Sequence, residues 1–131
     1  MRFLLRSLKP AQYSSYKRCV SQVIPGVSFR IQKMSLGRRI DLAEAIRDLA
    51  MEREFHQAGE SAKEQVEAAA LSAKIDCVYL SWGLVELEGL LIDGQPPSAD
   101  MLYSRGPEDL LREIVDRIKL ECGLTDEERK N

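Results

Sequence analysis

The hydrophobic and polar positions of this chain repeat with two different periods. Residues 27–32, VSFRIQ, alternate apolar and polar side chains, a period of two that predicts a half-buried strand. Residues 36–58 carry apolar side chains at steps of three and four, which predicts an amphipathic helix with Ser35 as its N-cap. A second helical stripe covers 62–82, and a third covers 107–122. The chain is therefore expected to be mainly helical with a small β element.

Weaker patterns predict the other elements. Gly59 is expected to end the first long helix in a left-handed conformation. Gly83 is expected to be the residue at which the second long helix ends. Asp93 and Gly94 form a tight-turn pair. The remaining elements are, in chain order, a strand at 2–8, a short helix at 10–23, a strand or hairpin at 84–92 with Val85, Leu87 and Gly89 on one face, a Ser98-capped helix at 99–104, and a last helix from Asp126 opened by a Thr125–Glu128 capping box.

These elements predict one α+β domain over 1–131, mainly α with a small β-hairpin or sheet. Residues 1–35 form a basic strand and helix part, and residues 36–131 form a helical core with the hairpin. A chain of 131 residues buries enough surface to keep a core without metal or disulfide. No window approaches the roughly 18 apolar residues that span a bilayer, so no membrane partner is expected.

Charge is distributed unevenly along the chain. Nine of the 19 basic residues precede Asp41, which is the first of the 21 acidic residues. Such asymmetry is typical of a nucleic-acid-binding arm, a membrane-facing arm or a targeting peptide, and also of two halves that attract each other. The last interpretation is favoured, and no small-residue cleavage site marks residues 1–20 as a processed leader.

Catalytic and metal-binding patterns are not found in the sequence. Three cysteines without C-x-x-C spacing argue against a disulfide framework and a zinc site, and they favour a reducing, cytoplasmic location. The single histidine, His56, lies where a surface or helix-end residue is expected. No nucleophile or phosphate-binding motif occurs. We therefore expect a protein that is not an enzyme and has no cofactor and no metal.

The basic N-terminal part also suggests a candidate contact surface. Basic residues interleaved with Tyr13, Tyr16 and Phe29 can follow a phosphate backbone and stack on bases, or contact an acidic partner. The alternative, which is favoured over nucleic-acid binding, is that Phe29 is core and the cations pair with the acidic half. The candidate contacts are Lys17, Arg18, Arg30, Lys33, Arg38 and Arg39.

The C-terminal part resembles the tail assembly chaperones of long-tailed bacteriophages. The matching features are a helix that ends at Ser81-Trp82, the glycine-interrupted ELEGLLIDGQPP at 86–97, the Ser98 cap, and a helix that reads GPEDLLREIVDRI. The resemblance covers mainly 36–131. The basic first forty residues depart from the family pattern.

The resemblance implies a non-catalytic binding function in the host bacterial cytoplasm. Such chaperones bind hydrophobic helical segments of the tape-measure protein during tail assembly, and a homo-oligomer is a further expectation. Trp82 is the strongest partner-binding candidate because tryptophan is enriched at binding hot spots. The other candidates are Leu84, Leu87, Leu90 and Leu91, with Ile114 and Ile118 behind them. A small phage-encoded inhibitor or adaptor that binds a folded host protein remains an alternative.

Overall fold

A computed structural model describes residues 8–124 and 126–130 of the chain. The expected α+β class is confirmed, because long helices surround a small antiparallel sheet. The elements in chain order are β1 (Tyr16–Val20), β2 (Ser28–Gln32), α1 (Leu36–Gln57), α2 (Ala62–Gly83), β3 (Leu84–Glu88), α3 (Ala99–Arg105), α4 (Glu108–Glu121) and α5 (Asp126–Lys130). Within the described ranges, none of the helices is long and apolar enough to cross a bilayer.

The sheet places β2 between the other two strands of the described part. β1 and β2 form an antiparallel hairpin in which Cys19 lies opposite Phe29, and β3 pairs antiparallel with the other edge of β2. Phe29 and Ile31 are almost fully buried, as the alternation of 27–32 predicts. The strand expected at 27–32 is thus confirmed and is the centre of the sheet.

The helix predicted at 10–23 is wrong, because β1 occupies Tyr16–Val20. Its local signal was Pro10, which suits the first turn of a helix. The hydrogen bonds and packing gained by pairing with β2 outweigh that weak local preference, and Cys19 is buried in the process. Most of the strand predicted at 2–8 lies outside the described residues.

β3 carries a bulge that changes which of its side chains face the core. Ile31 lies opposite Leu84 while Arg30 lies opposite Glu86, so Val85 is the extra residue on β3. Val85 consequently points outward and is 43% exposed, whereas Leu87 packs against the core. The prediction that Val85 shares one face with Leu87 and Gly89 is therefore wrong, because the bulge shifts the alternation by one residue.

α1 and α2 form an antiparallel helical hairpin that is capped as predicted. The Ser35 hydroxyl accepts from the Arg38 amide at 3.2 Å, and the Ser61 hydroxyl accepts from the Glu64 amide at 3.1 Å. Gly59 does not adopt the predicted left-handed conformation, since α1 ends in right-handed backbone at Ala58. A Cβ at Gly59 would instead stand 2.6 Å from Cγ of Glu64, so close packing at the turn favours glycine there.

α4 fills the space between the sheet and α2. Leu110, Ile114 and Ile118 are completely buried, as the strong apolar stripe of 107–122 predicts. Gly83, the last residue of α2, permits the close approach, because a Cβ there would stand 2.7 Å from the Ile118 side chain. α2 and α4 are therefore held in direct contact at the end where β3 begins.

The loop between β3 and α3 contains the predicted tight turn. Ile92 and Gln95 exchange backbone hydrogen bonds of 2.9 and 3.0 Å, and Asp93 and Gly94 both have positive φ. The short helix α3 begins after Ser98, whose hydroxyl accepts from the Met101 amide at 3.2 Å. The predicted last helix is present as α5, and its predicted Thr125 cap lies outside the described residues.

Candidate functional site

An open groove lies between α1, α2 and α3, and it contains Trp82. Its volume is about 580 Å³, which falls in the usual range of ligand-binding clefts. We call it the Trp82 groove. Its lining residues are Ala45 from α1, Lys74, Cys77, Val78, Ser81 and Trp82 from α2, and Asp100 and Tyr103 from α3.

Helical geometry explains how α2 presents its part of the groove. Cys77, Val78, Ser81 and Trp82 follow one another at steps of one, three and one residues, so they share one side of the last two turns. The opposite side of these turns includes Leu80, which is completely buried. α2 therefore packs one face into the core and turns the other toward α1 and α3.

Tyr103 reaches the groove because the preceding residue, Leu102, anchors α3 in the core. Leu102 is 1% exposed and belongs to the core, whereas Tyr103 is 51% exposed and lines the groove. The Ser98 cap fixes the start of this seven-residue helix. One buried leucine and one cap thus determine the position of an aromatic ring in the same groove as Trp82.

Trp82 is held from two directions. Its side chain is half-buried and packs against the core, and its backbone carbonyl accepts from Nε2 of Gln32 at 2.6 Å. This hydrogen bond ties the end of α2 to β2. A large aromatic side chain on such a fixed backbone offers contact area at low cost in conformational entropy.

The other predicted partner-binding residues are not in the Trp82 groove. Leu84, Leu87 and Leu90 are half-buried and pack against the core. Leu91 is 64% exposed on the loop after β3. The structure therefore brings only Trp82 of the five candidates into the groove. The residues expected behind them, Ile114 and Ile118, are completely buried core residues.

Most of the groove could not be identified from the sequence. The apolar stripe of 62–82 predicts Cys77 as a core residue, although the four-residue spacing from Val78 to Trp82 and from Cys77 to Ser81 is a usable signal that these pairs share one side of the helix. Tyr103 and Asp100 gave no such signal, because a helix of seven residues is too short to show a reliable period. Only the packing of α3 against α2 reveals their position.

The groove contains no reactive thiolate. Burial raises the pKa of the Cys77 thiol, and the neighbouring Asp76 carboxylate raises it further. The thiol is therefore protonated at neutral pH and lines the groove as a small apolar group rather than as a nucleophile. Two exposed charged side chains, Lys74 and Asp100, belong to the lining. This composition suits an apolar ligand with polar ends.

The predicted basic contact residues are largely engaged within the protein. Arg38 donates to the carbonyl oxygens of Ser15 and Lys33 at 2.7 and 2.9 Å, and its guanidinium lies 5.3 Å from the Tyr16 ring centroid. Lys33 lies 4.9 Å from the ring centroid of Tyr13. These contacts join the segment before β1 to the segment before α1.

Three further cations of this set also have partners on other elements. Arg30 forms an ion pair with Glu86 at 3.1 Å across the sheet. Lys17 lies 3.9 Å from Glu121 of α4, and Arg18 donates to the hydroxyl of Ser28 at 3.3 Å. The sixth cation, Arg39, is exposed and lowers the pKa of Cys122 against the larger effect of burial. At least two of the six cations therefore pair with acidic residues of the C-terminal part.

An ion pair between a buried lysine and a half-buried aspartate lies on another side of α2. The Lys119 side chain is 4% exposed, and its Nζ lies 2.7 Å from Oδ1 of Asp76 and 5.3 Å from the Tyr79 ring centroid. Lys119 also donates to the Arg129 carbonyl at 3.4 Å. Burial raises the pKa of Tyr79, with smaller contributions from nearby groups including Asp76. The cluster joins α2, α4 and α5.

His56 lies at the end of α1, as expected. Its Nδ1 is 2.5 Å from Oε2 of Glu64, which links the two helices at their turn. Among residues 8–124 and 126–130, no group of three or more histidine, cysteine or acidic side chains is arranged to hold a metal ion.

Comparison with known proteins gives no further assignment. No protein-family model matches the chain, and neither a curated protein nor a solved structure matches it. The chaperone family therefore stays a prediction that rests on the resemblance of 36–131.

Proposed function

We propose that this chain is a non-catalytic protein that binds an apolar helical segment of a partner in the Trp82 groove. The partner we propose is the tape-measure protein of a long-tailed phage, and the role is that of a tail assembly chaperone in the host bacterial cytoplasm. Covering the apolar stripes of such a client removes them from water and keeps it from aggregating.

One observation carries the proposal: Trp82, the only tryptophan of the chain, lines an open groove together with Tyr103. Aromatic side chains in a desolvated cleft supply most of the binding energy of many interfaces. The groove runs between helices, which is the geometry of helix-in-groove recognition. The exposed Lys74 and Asp100 can pair with charges that flank the apolar face of the client.

The internal contacts of the basic residues support protein binding over nucleic-acid binding. Arg30, Lys17 and Arg38 already have carboxylate or carbonyl partners within the protein. Binding to a phosphate backbone would have to replace these contacts. A folded host protein, the target in the inhibitor alternative, could use the same groove, and the experiment below distinguishes the two clients.

The test is co-expression with an insoluble tape-measure fragment from the same genome, scored by the amount of soluble fragment that co-purifies. We expect the wild-type chain to recover the fragment. Tyr103→Ala should reduce recovery severalfold, because it removes an aromatic ring that lines the groove. Tyr103 is half exposed, so its loss leaves the core unchanged. Trp82→Ala should reduce it further.

The matched control is Tyr13→Ala, which removes another exposed aromatic ring, one that lies outside the groove. Circular dichroism confirms that each variant is folded before recovery is compared. A fragment that stays insoluble with the wild-type chain would reject the tape-measure client. Equal recovery with Tyr13→Ala and Tyr103→Ala would reject the groove as the binding site.

A further inference from the structure

α1 has a second apolar face that no described residue covers. Its inner face packs Leu42, Ile46 and Leu49 toward the core. With about 100° between successive residues, the opposite side falls within an arc of about 100°. This outer face of α1 includes Leu36, Ile40, Glu44, Arg47, Met51 and Phe55, and Gly37 and Glu54 lie at its two edges. A helix with apolar side chains on two opposite faces has more apolar surface than its own core uses.

The apolar residues of the outer face are strongly exposed. Leu36 is 78% exposed, Ile40 51%, Met51 64% and Phe55 72%. Single exposed apolar residues are common, but these four lie on one side of one helix, two on each side of the charged residues Glu44 and Arg47. This face points away from the inner face of α1, so it is available to another molecule.

The apolar positions of the outer face are symmetric about a point between Ala45 and Ile46. Leu36 lies as far before the midpoint between Ala45 and Ile46 as Phe55 lies after it, and Ile40 and Met51 are related in the same way. When two copies of α1 pack antiparallel about this midpoint, Leu36 of one copy meets Phe55 of the other. Ile40 then meets Met51, and each apolar residue finds an apolar partner.

Glu44 and Arg47, the two charged residues nearest the midpoint, obey the same symmetry with opposite sign, while Glu54 lies opposite the uncharged Gly37. Glu44 and Arg47 are equally distant from the midpoint, so Glu44 of one copy meets Arg47 of the other, and this happens twice in the pair. Within one chain, Arg47 pairs with its exposed neighbour Asp48 at 3.5 Å, and the Arg47 side chain remains 66% exposed. A two-fold interface requires such self-complementarity. A different partner would require no mirror relation between Glu44 and Arg47.

We propose that the chain forms a two-fold symmetric homodimer through antiparallel packing of α1 on α1. The Trp82 groove includes Ala45, which lies on another side of α1, so the dimer does not depend on the binding function proposed above. Stable interfaces use about 20–30 residues from each side, and α1 has only 22 in total. We therefore expect a dissociation constant on the order of micromolar to tens of micromolar.

The test is sedimentation velocity of the full chain over a range of concentrations, with two charge reversals. Glu44→Arg places an arginine opposite Arg47 of the other copy, and Arg47→Glu places two glutamates opposite each other. Each single variant replaces two attractive pairs by two repulsive pairs, so we expect its dimer to weaken by about tenfold or more. An equimolar mixture of the two variants can form a heterodimer. In the proposed arrangement, position 44 of each chain then lies opposite an unlike charge at position 47 of the other.

The pairing in that mixture follows from the same two-fold arrangement. In the heterodimer, position 44 of the first variant is arginine and meets the glutamate at position 47 of the second. The remaining contact joins Arg47 of the first variant to Glu44 of the second, so both pairs are attractive. The mixture should therefore form a heterodimer of wild-type strength.

The mixture separates this proposal from an effect on the single helix. Both variants lose the attraction between residues 44 and 47 within the chain, and mixing cannot restore it. The control is Glu52→Arg, a charge reversal at an exposed position on another side of α1, which should dimerise like the wild type. A wild-type chain that is monomeric at several hundred micromolar would overturn the proposal, as would single variants that dimerise normally or a mixture that stays monomeric.

Discussion

Gly89 connects β3 to the loop that follows it, and its replacement by alanine tests how tightly this junction is packed. Gly89 has a φ of 86°, and a Cβ there would stand 2.1 Å from the carbonyl oxygen of Gly26. The same Cβ would stand 3.3 Å from the Cα of Val27. These are backbone atoms of the β1–β2 turn, so no side-chain rotation can relieve the contact.

Gly26 provides a matched comparison for the magnitude. It has a φ of 84°, but a Cβ there would meet nothing within 4 Å. An alanine in left-handed backbone costs about 1–2 kcal/mol of stability. Alanine also gives the unfolded chain less conformational freedom than glycine does, which offsets about 0.4–1 kcal/mol of that cost. Gly26→Ala should therefore lower the free energy of unfolding by about 1 kcal/mol. Gly89→Ala adds overpacking of about 1–3 kcal/mol, for a total of about 2–4 kcal/mol.

The assay is urea unfolding followed by the fluorescence of Trp82, the single tryptophan. At about 1–3 kcal/mol per molar urea, Gly89→Ala should lower the midpoint by about 1 M or more, and Gly26→Ala by about half as much or less. Equal midpoint shifts for the two variants would refute the reasoning, because they would show that the contact with Gly26 costs nothing.

Two other predictions concern ionisable groups. Asp76→Ala leaves the buried Lys119 ammonium without its carboxylate and should lower the free energy of unfolding by about 2–3 kcal/mol. Lys119→Met removes the buried ammonium itself and should lower the free energy of unfolding by about 1 kcal/mol or less. Equal losses for the two variants in urea unfolding would contradict this. Burial raises the pKa of Cys122 from 9.0 to about 11. The folded state therefore holds this proton more tightly, and the resulting stability, full below pH 9, is lost as pH rises toward 11. Under reducing conditions Cys122→Ala should lose less stability than the wild type between about pH 8 and about pH 10.5, and parallel losses would contradict the assignment.

Features with local causes could be predicted from the sequence. Ser35, Ser61 and Ser98 each cap a helix as expected, because a cap needs only the amides two or three residues ahead. The Asp93–Gly94 turn is local in the same sense. The strand at 27–32 was also predictable, since its alternation reflects one buried face.

Features that depend on distant partners could not be predicted. β1 is a strand because β2 lies beside it, and the outward turn of Val85 follows from a bulge in pairing with β2. Tyr103 enters the groove because Leu102 is buried against elements distant in sequence. Among the partner-binding candidates, the apolar pattern could not separate Trp82, which lines the groove, from Leu87, which packs on the core.

The fluorescence of Trp82 offers the most direct test of the central claim, since this single tryptophan lines the groove. The measurement is a titration of the full chain with a tryptophan-free amphipathic helical peptide from the tape-measure protein of the same genome. The account predicts a saturable shift of the emission to shorter wavelength, as the peptide removes Trp82 from water. It also predicts an affinity about tenfold weaker for Tyr103→Ala. An emission spectrum that stays unchanged at saturating peptide, or an affinity that Tyr103→Ala leaves unaltered, would contradict binding in the Trp82 groove.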